Sequence, residues 1–256
     1  WYFLNPLVII ELTGNLHFEG VMLFFFVLAM FLIISGKWLL GTLPYAVSIG
    51  VKLFPMLFLP LILPLLGGKR GALFLLGTVI FLVLGVYPLY FPEFTTNYTQ
   101  TLKLWFSNFE FNAGIYNAVE WVAVWQGAKP WEFIKAYGAV VPAITALAAL
   151  AISLHPAMKQ AKFWFTGALA LSCLYYFTAT TVHPWYIIFP LLLGVFTNYR
   201  FVILWSATAI LSYAAYGTPE VQERPLILLV EYLPVFGFLT YEILRNNKYL
   251  LLPAKK

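Results

Sequence analysis

Long apolar runs separated by short polar interruptions dominate the chain. A membrane crossing needs about 20 predominantly apolar residues, or fewer where the helix is short. The runs predict nine spans: Phe18–Ser35, Leu39–Val51, Leu53–Leu66, Ala72–Tyr90, Gly138–Leu154, Phe163–Thr180, Trp185–Phe196, Phe201–Tyr216 and Pro225–Leu244. The predicted fold class is therefore all-α, a polytopic transmembrane helical bundle that forms a single domain over residues 1–256.

The second and third runs meet at Lys52 and can be read as two short helices or as one long helix. Gly50, Lys52 and Pro55 cluster at the junction, and one helix through both runs would be longer than a crossing needs. We therefore predict a reversal at Lys52, which gives nine spans. A single helix would give eight spans and would place residues 1–17 on the cytoplasmic side.

The basic residues orient the predicted bundle. With nine spans, one side receives ten of the fifteen Lys and Arg residues, namely Lys37, Lys69, Arg70, Lys159, Lys162, Arg200, Arg245, Lys248, Lys255 and Lys256. The positive-inside rule assigns that side to the cytoplasm. Residues 1–17, Lys52, segment 91–136, His183 and Arg224 then share the non-cytoplasmic face.

Segment 91–136 is too polar to cross a membrane and too aromatic for an ordinary loop. From Tyr98 to Phe109, apolar residues follow helical spacing, which predicts an amphipathic helix lying in the membrane interface. A second short helix is predicted over residues 115–125. Because Trp and Tyr are favoured at headgroup depth, this external segment is either a simple anchor or a platform beside a lipid-linked substrate.

Composition supports a membrane protein and excludes other classes. The chain is 62% hydrophobic and only 10% charged, whereas soluble domains carry about a quarter charged residues. The net charge of +5 comes from basic residues scattered singly, so no basic patch follows a nucleic-acid backbone. Cys173 is the single cysteine and cannot form an internal disulfide. Because the chain begins at Trp1 without a visible signal peptide, we expect it to lack an N-terminal part.

Four polar residues, Glu11, Asn15, His17 and Glu19, lie directly before or at the start of the first run. Ionisable groups at a membrane span are costly to keep there and usually mark a site. Asn15 can cap the following helix and Glu19 can face its dipole, but neither role explains Glu11 or His17. A carboxylate beside a histidine can deprotonate a hydroxyl, hold a metal or bind sugar hydroxyls.

Further candidates lie at other junctions on the same predicted face. Lys52 either extends to the interface or binds a phosphate. His183, Trp185 and Tyr186 open another span and form either part of an aromatic belt or a contact to a sugar or phosphate. Arg224 precedes the last span. The chain contains no aspartate and no phosphate-binding glycine loop, so we predict neither a metal nor a cofactor.

These motifs resemble those of a known family. Asn5-Pro6-Leu-Val-Ile-Ile-Glu11, followed by Gly14-Asn-Leu-His17-Phe-Glu19, resembles the Pro…Glu…Gly-His-x-Asp/Glu segment of polytopic GT-C glycosyltransferases. The nearest look-alikes are bacterial mannosyltransferases that use a polyprenyl-phosphate sugar. Val51-Lys52-Leu-Phe-Pro55 resembles their Lys-x-x-Pro helix reversal, and segments 109–116 and 182–186 are similar to later parts of the same group.

The resemblance implies a membrane glycosyltransferase of the bacterial inner membrane. It would move a hexose, such as mannose, from a polyprenyl-phosphate-linked sugar donor to a saccharide or lipid-linked acceptor outside the cytoplasm. In that family the catalytic acid lies in the first external loop, which we expect to precede Trp1, so Glu11 and Glu19 are the second choices for catalysis. The residues expected to bind substrate are Asn15, His17, Lys52, His183, Trp185, Tyr186 and Arg224.

Two other functions remain open from the sequence. A transporter or flippase for a lipid-linked saccharide would need charges deep in several spans and paired broken helices. Glu231 is the single acidic residue well inside a predicted span, which favours the enzyme. A non-catalytic scaffold would not need so many ionisable groups on one face.

Overall fold

The computed structural model describes residues 1–217 and 222–250. Within these ranges the chain is almost entirely helical, and its only β-pairing is an isolated bridge between Phe111 and Thr181. The predicted all-α fold class is thereby confirmed.

The helices are numbered here in chain order. They are α1 (Pro6–Gly14), α2 (Glu19–Ile34), α3 (Thr42–Val51), α4 (Phe54–Leu66), α5 (Gly68–Leu89), α6 (Phe94–Ser107), α7 (Gly114–Trp125), α8 (Pro130–Ser153), α9 (Ala161–Thr178), α10 (Pro184–Val195), α11 (Phe201–Tyr216) and α12 (Pro225–Leu250).

Three of the described helices are long and apolar enough to cross a membrane: Gly68–Leu89, Pro130–Ser153 and Pro225–Asn246. The bent pair of α1 and α2 raises the number to four if it counts as one broken span. Nine spans are therefore not confirmed. Length accounts for four of them, since α3, α4, α10 and α11 are apolar but have only 10–17 residues each. Helix α9 has 18 residues but is not among the helices apolar enough to cross.

The N-terminal segment, predicted to share the non-cytoplasmic face, packs into the helical bundle. Asn5 caps α1 by accepting a hydrogen bond from the backbone N–H of Leu7 at 2.9 Å, and its side-chain amide donates to Ser206 Oγ at 2.8 Å. Helix α1 thus packs against α11, and Leu7 is fully buried. After α1 the chain turns by 109° into α2.

The junction at Lys52 is a break between two helices, as predicted. Helix α3 ends at Val51, and Lys52 is extended with φ −155° and ψ 134°. Pro55 then lies in the first turn of α4, where its missing N–H costs no hydrogen bond.

Segment 91–136 contains both predicted helices, α6 and α7, but one boundary was wrong. Helix α8 begins at Pro130 rather than at Gly138, because Pro130 and Glu132 suit the first turn of a helix. The end of segment 91–136 therefore belongs to a helix that is long and apolar enough to cross a membrane.

Aromatic packing forms the centre of the bundle. Phe26 of α2, Phe58 of α4 and Phe189 of α10 are buried together, with ring centroids 5.0 Å apart for Phe26–Phe189 and 5.3 Å apart for Phe58–Phe189. Trp164 of α9 completes the cluster. Each such ring buries a large apolar area, so this cluster fixes the positions of the helices that carry the polar residues described next.

Candidate functional site

The bend between α1 and α2 carries the first polar residues of the site. Most of α1 has π-helical hydrogen bonding, which is frequent at functional sites. The N–H of Asn15 donates to Ile10 O at 2.7 Å, and the N–H of His17 donates to Glu11 O at 3.0 Å. Leu16 has a positive φ of 55°. This short turn brings His17 back over Glu11.

Glu11 is fully buried and has three side-chain partners. Its Oε2 accepts a hydrogen bond from Asn15 Nδ2 at 3.0 Å and lies 3.4 Å from His17 Nε2. Its Oε1 accepts a hydrogen bond from the Tyr213 hydroxyl of α11. The sequence suggested that Asn15 could cap α2. The structure instead places Phe18 at the cap position of α2.

A column of stacked rings leads from His17 into the bundle. His17 stacks on Trp185 with centroids 4.0 Å apart, Trp185 stacks on His183 at 4.3 Å, and His183 stacks on Phe111 at 4.9 Å. Both faces of the Trp185 indole are thus covered by imidazole rings. A sugar cannot stack on Trp185 in this arrangement, and the indole acts as a spacer between the two histidines.

Lys52 lies beside this column and is already paired. Its ammonium binds the Glu19 carboxylate and lies 4.1 Å from the centroid of the Tyr186 ring. Glu19 is almost completely buried, whereas 32% of the Lys52 side chain is exposed. Burial lowers the pKa of Lys52, and the charge and hydrogen bond of Glu19 oppose that shift. Lys52 is the accessible member of the pair.

The loop that carries His183 is held by backbone hydrogen bonds to segment 91–136. Phe111 N–H donates to Thr180 O at 2.9 Å, and Val182 N–H donates to Phe111 O at 2.8 Å. The hydroxyl of Thr181 donates to Phe109 O at 2.9 Å. The connection between α6 and α7 therefore positions both His183 and the Phe111 ring that stacks on it.

His183 has an unusual environment for a histidine at a helix start. Burial lowers its pKa to about 4, and the nearby charges of Lys52 and His17 act in the same direction. Its Nδ1 is buried and has no hydrogen-bond partner among the described residues. At neutral pH His183 is therefore uncharged.

The structure places most of the predicted site residues in one cluster. Direct contacts join Glu11, Asn15, His17, Trp185 and His183, and a second set joins Glu19, Lys52 and Tyr186. The Trp185 and Tyr186 rings, 6.0 Å apart, connect the two sets.

Arg224 is not joined to that cluster. Its carbonyl accepts hydrogen bonds from Ile227 and Leu228 in the first turn of α12, and its side chain is exposed. No hydrogen bond or ion pair connects the Arg224 side chain to another site residue within the described ranges.

Sequence reasoning missed three residues that support the cluster. Tyr213 binds Glu11, Phe111 covers His183, and Asn112 fixes the loop that carries both. Phe111 and Asn112 lie in the segment that resembles later parts of the family, but that resemblance assigned them no role. Tyr213 carried no signal, because it is one of sixteen tyrosines in the chain.

Residues 1–68 match the family model described as Alpha-(1->6)-mannopyranosyltransferase, N-terminal domain. The match supports a mannosyltransferase family. It covers α1 to α4, and therefore Glu11, Asn15, His17, Glu19 and Lys52, but not the loop of His183. No curated protein and no solved structure matches the chain.

Proposed function

We propose that this protein is a GT-C type membrane glycosyltransferase that moves mannose from a polyprenyl-phosphate-linked donor to a saccharide or lipid-linked acceptor. One observation carries the proposal. The segment that matches the mannosyltransferase family contributes both a histidine held by a buried carboxylate and a partly exposed lysine. These two residues contact the neighbouring rings of Trp185 and Tyr186. The membrane location, a multi-pass bacterial inner-membrane protein with this site on the non-cytoplasmic face, is part of the same proposal.

Lys52 would bind the donor phosphate. An ammonium is a compact charge with three donors, and Glu19 uses only part of that capacity. The Lys52 side chain is exposed enough to meet a ligand, and a phosphate can bind on its open side. The buried Glu19 then holds Lys52 in place rather than acting as a catalytic acid.

His17 would accept the proton of the acceptor hydroxyl. Glu11, our second choice for catalysis from the sequence, is fully buried with both oxygens engaged, whereas 29% of the His17 side chain is exposed. A carboxylate that lies against one imidazole nitrogen orients the ring and leaves the other nitrogen for proton transfer. Glu11 is thus a positioning residue, and His17 is the base.

The reaction balances with these groups. The acceptor oxygen forms a bond to the anomeric carbon while the bond from that carbon to the phosphate oxygen breaks. The acceptor proton moves to His17, and the phosphate leaves with the bonding electrons and is stabilised by the Lys52 charge.

A transfer assay tests the proposal. The protein in proteoliposomes receives radiolabelled polyprenyl-phosphate-mannose and a mannan acceptor. We expect transfer in the wild type, a loss of about 10²- to 10⁴-fold in His17→Gln, and no change in His155→Gln, since His155 is exposed and lies apart from the column. Equal transfer by wild type and His17→Gln would remove His17 as the base.

The bent pair of α1 and α2 favours a second candidate, a flippase for a lipid-linked saccharide. Transporter sites are often formed at breaks in discontinuous helices, and this site lies at a 109° break. The same proteoliposomes distinguish the two functions. Movement of the labelled lipid between leaflets without any transfer to acceptor would establish the flippase and overturn the transferase.

A further inference from the structure

Nearly all the polar atoms of Asn112 are hydrogen-bonded, and they join segment 91–136 to α12, to Glu223 just before α12 and to the loop before His183. Its N–H donates to Glu223, its side-chain amide donates to Glu231 Oε1 at 3.1 Å and to Val182 O at 3.3 Å, and its carbonyl accepts from the Tyr232 hydroxyl at 2.7 Å. The backbone adopts a positive φ of 49°. Asn112 Oδ1 is the exception, because it is buried and has no partner among the described residues.

Glu231, which accepts a hydrogen bond from the Asn112 amide, also has a buried oxygen without a partner among the described residues. It is fully buried on α12, and its Oε1 accepts from both Asn112 and the indole of Trp205 at 3.3 Å. Its Oε2 has no partner within the described ranges, and none of the ion pairs found there involves Glu231. Burying a carboxylate without a counter-charge is costly, so such groups are usually paired or bind metals.

A second carboxylate approaches the same amide. Glu223 accepts a hydrogen bond from Asn112 N–H and is only half-buried. The two carboxylates flank one asparagine with no basic side chain paired to either one among the described residues. The two carboxylates together carry a charge of up to −2.

The chemistry of the unpartnered atoms indicates what could bind. Both are oxygens that accept but cannot donate, and hard cations such as Ca²⁺ bind carboxylate, amide and carbonyl oxygens. No group of three or more His, Cys or acidic side chains with metal-binding geometry occurs in the described residues, which excludes a zinc-like site there. A site for a hard cation can use the amide oxygen of asparagine as a ligand, so it does not require three His, Cys or acidic side chains.

We propose that Asn112 Oδ1 and Glu231 Oε2, with the charge of Glu223, bind a hard divalent cation of the Ca²⁺ class. The cation would join α12 to the connection between α6 and α7. Because Phe111 and Val182 are hydrogen-bonded across that connection, the bound ion would also stabilise the loop that carries His183. This site does not depend on the proposed transferase activity.

Terbium luminescence tests the site directly. Tb³⁺ replaces Ca²⁺ at oxygen sites and is excited through a nearby indole, and Trp205 contacts Glu231. With the purified protein in detergent, we expect a saturable Tb³⁺ signal that excess Ca²⁺ displaces. Glu231→Gln should lose this signal, and Trp205→Phe should lose most of it. Glu132→Gln should keep it, because Glu132 is exposed and pairs only with Lys129 among the described residues.

Thermal unfolding provides a second readout that does not depend on luminescence. Ca²⁺ should raise the Tm of the wild type, of Trp205→Phe and of Glu132→Gln relative to EDTA, and should leave the Tm of Glu231→Gln unchanged. Glu223→Gln, which alters a less buried group, should bind Tb³⁺ more weakly and still unfold cooperatively. Two results would overturn the proposal and indicate a neutral, protonated Glu231. One is a wild-type Tm that Ca²⁺ does not change, and the other is an equal Tb³⁺ signal in wild type and Glu231→Gln. Neither result would bear on sugar transfer, which is assayed separately.

Discussion

The imidazole of His17 lies against the indole of Trp185, with ring centroids 4.0 Å apart and planes 20° from parallel. His17 comes from the bend after α1, and Trp185 comes from the first turn of α10. The contact therefore joins the segment that matches the mannosyltransferase family to a part of the chain outside that match. If this contact positions His17, its removal should affect activity more than stability.

The first prediction concerns Trp185. Trp185→Ala removes two stacked contacts, each of which contributes about 0.5–1.5 kcal/mol beyond area burial, and frees both imidazoles to rotate. We expect a modest loss of Tm and a much larger loss of kcat for mannosyl transfer. Trp185→Phe keeps a stacking ring and should retain most of the activity. Trp125→Ala, at an exposed tryptophan of α7, is the matched control and should change neither quantity.

The second prediction separates the base from its positioning residue. Glu11→Gln keeps the size of the side chain but removes the charge beside His17 Nε2. We expect kcat to fall, but by less than the roughly 10²- to 10⁴-fold loss of His17→Gln. The double variant should be no worse than His17→Gln alone, since the two residues act as one unit. Additive losses would show that Glu11 acts independently.

The third prediction concerns donor binding. Lys52→Ala should raise the donor KM by about ten- to a hundredfold, as expected for loss of one charged hydrogen bond worth about 1.5–3 kcal/mol. The same change leaves buried Glu19 without its partner, so stability should also fall. Lys52→Ala combined with Glu19→Gln should recover the stability but not the KM. A KM that recovers along with the stability would mean that Lys52 has only a structural role.

The sequence predicted the helical class, the helix break at Lys52 and the residues of the main cluster, because each depends on local signals. Apolar runs mark helices, Pro55 marks the start of α4, and ionisable groups stand out in an apolar chain. The path of residues 1–14 was not predictable in this way. Asn5 and Glu11 find their partners on α11, through Ser206 and Tyr213, and contacts that distant leave no local pattern.

The nine predicted spans are not confirmed, for a related reason. Hydropathy reports that a run is apolar, but not whether its helix is long enough to cross. Helix α3 has ten residues and α10 has twelve, and in both the apolar surface packs in part against other helices. Likewise, the sequence indicated aromatic residues near the site, but only the geometry shows that both faces of Trp185 are already covered.

The fourth prediction is a pH dependence of stability that originates at His183. Its pKa is about 4 in the folded protein, lowered by burial and by the charges of Lys52 and His17, and about 6.5 in the unfolded chain. Between these values the unfolded state binds more protons, so stability rises with pH through this window. The stability that depends on uncharged His183 should be fully present above about pH 6.5 and should fall progressively towards pH 4. Unfolding midpoints between pH 4 and 8 should show a shallower slope for His183→Gln, whereas His155→Gln should keep the wild-type slope.

The last prediction concerns the anchoring of the external segment. A Cβ added at Gly114 would lie 2.8 Å from two ring carbons of Tyr232. That ring cannot easily move, because its hydroxyl is bonded to Asn112 O and its face stacks on Phe236. Gly114→Ala should therefore destabilise the protein by about 1–3 kcal/mol, as overpacking does, and should also disturb the Asn112 connection.

Gly50→Ala is the matched control: no atom lies within 4 Å of the place that its added methyl group would occupy, and alanine is favoured over glycine inside a helix by about 0.5–1 kcal/mol. Unfolding in mixed micelles should rank Gly50→Ala at or above wild type and Gly114→Ala below it. The opposite order would mean that α7 is free to shift away from α12 and that Tyr232 does not fix the segment.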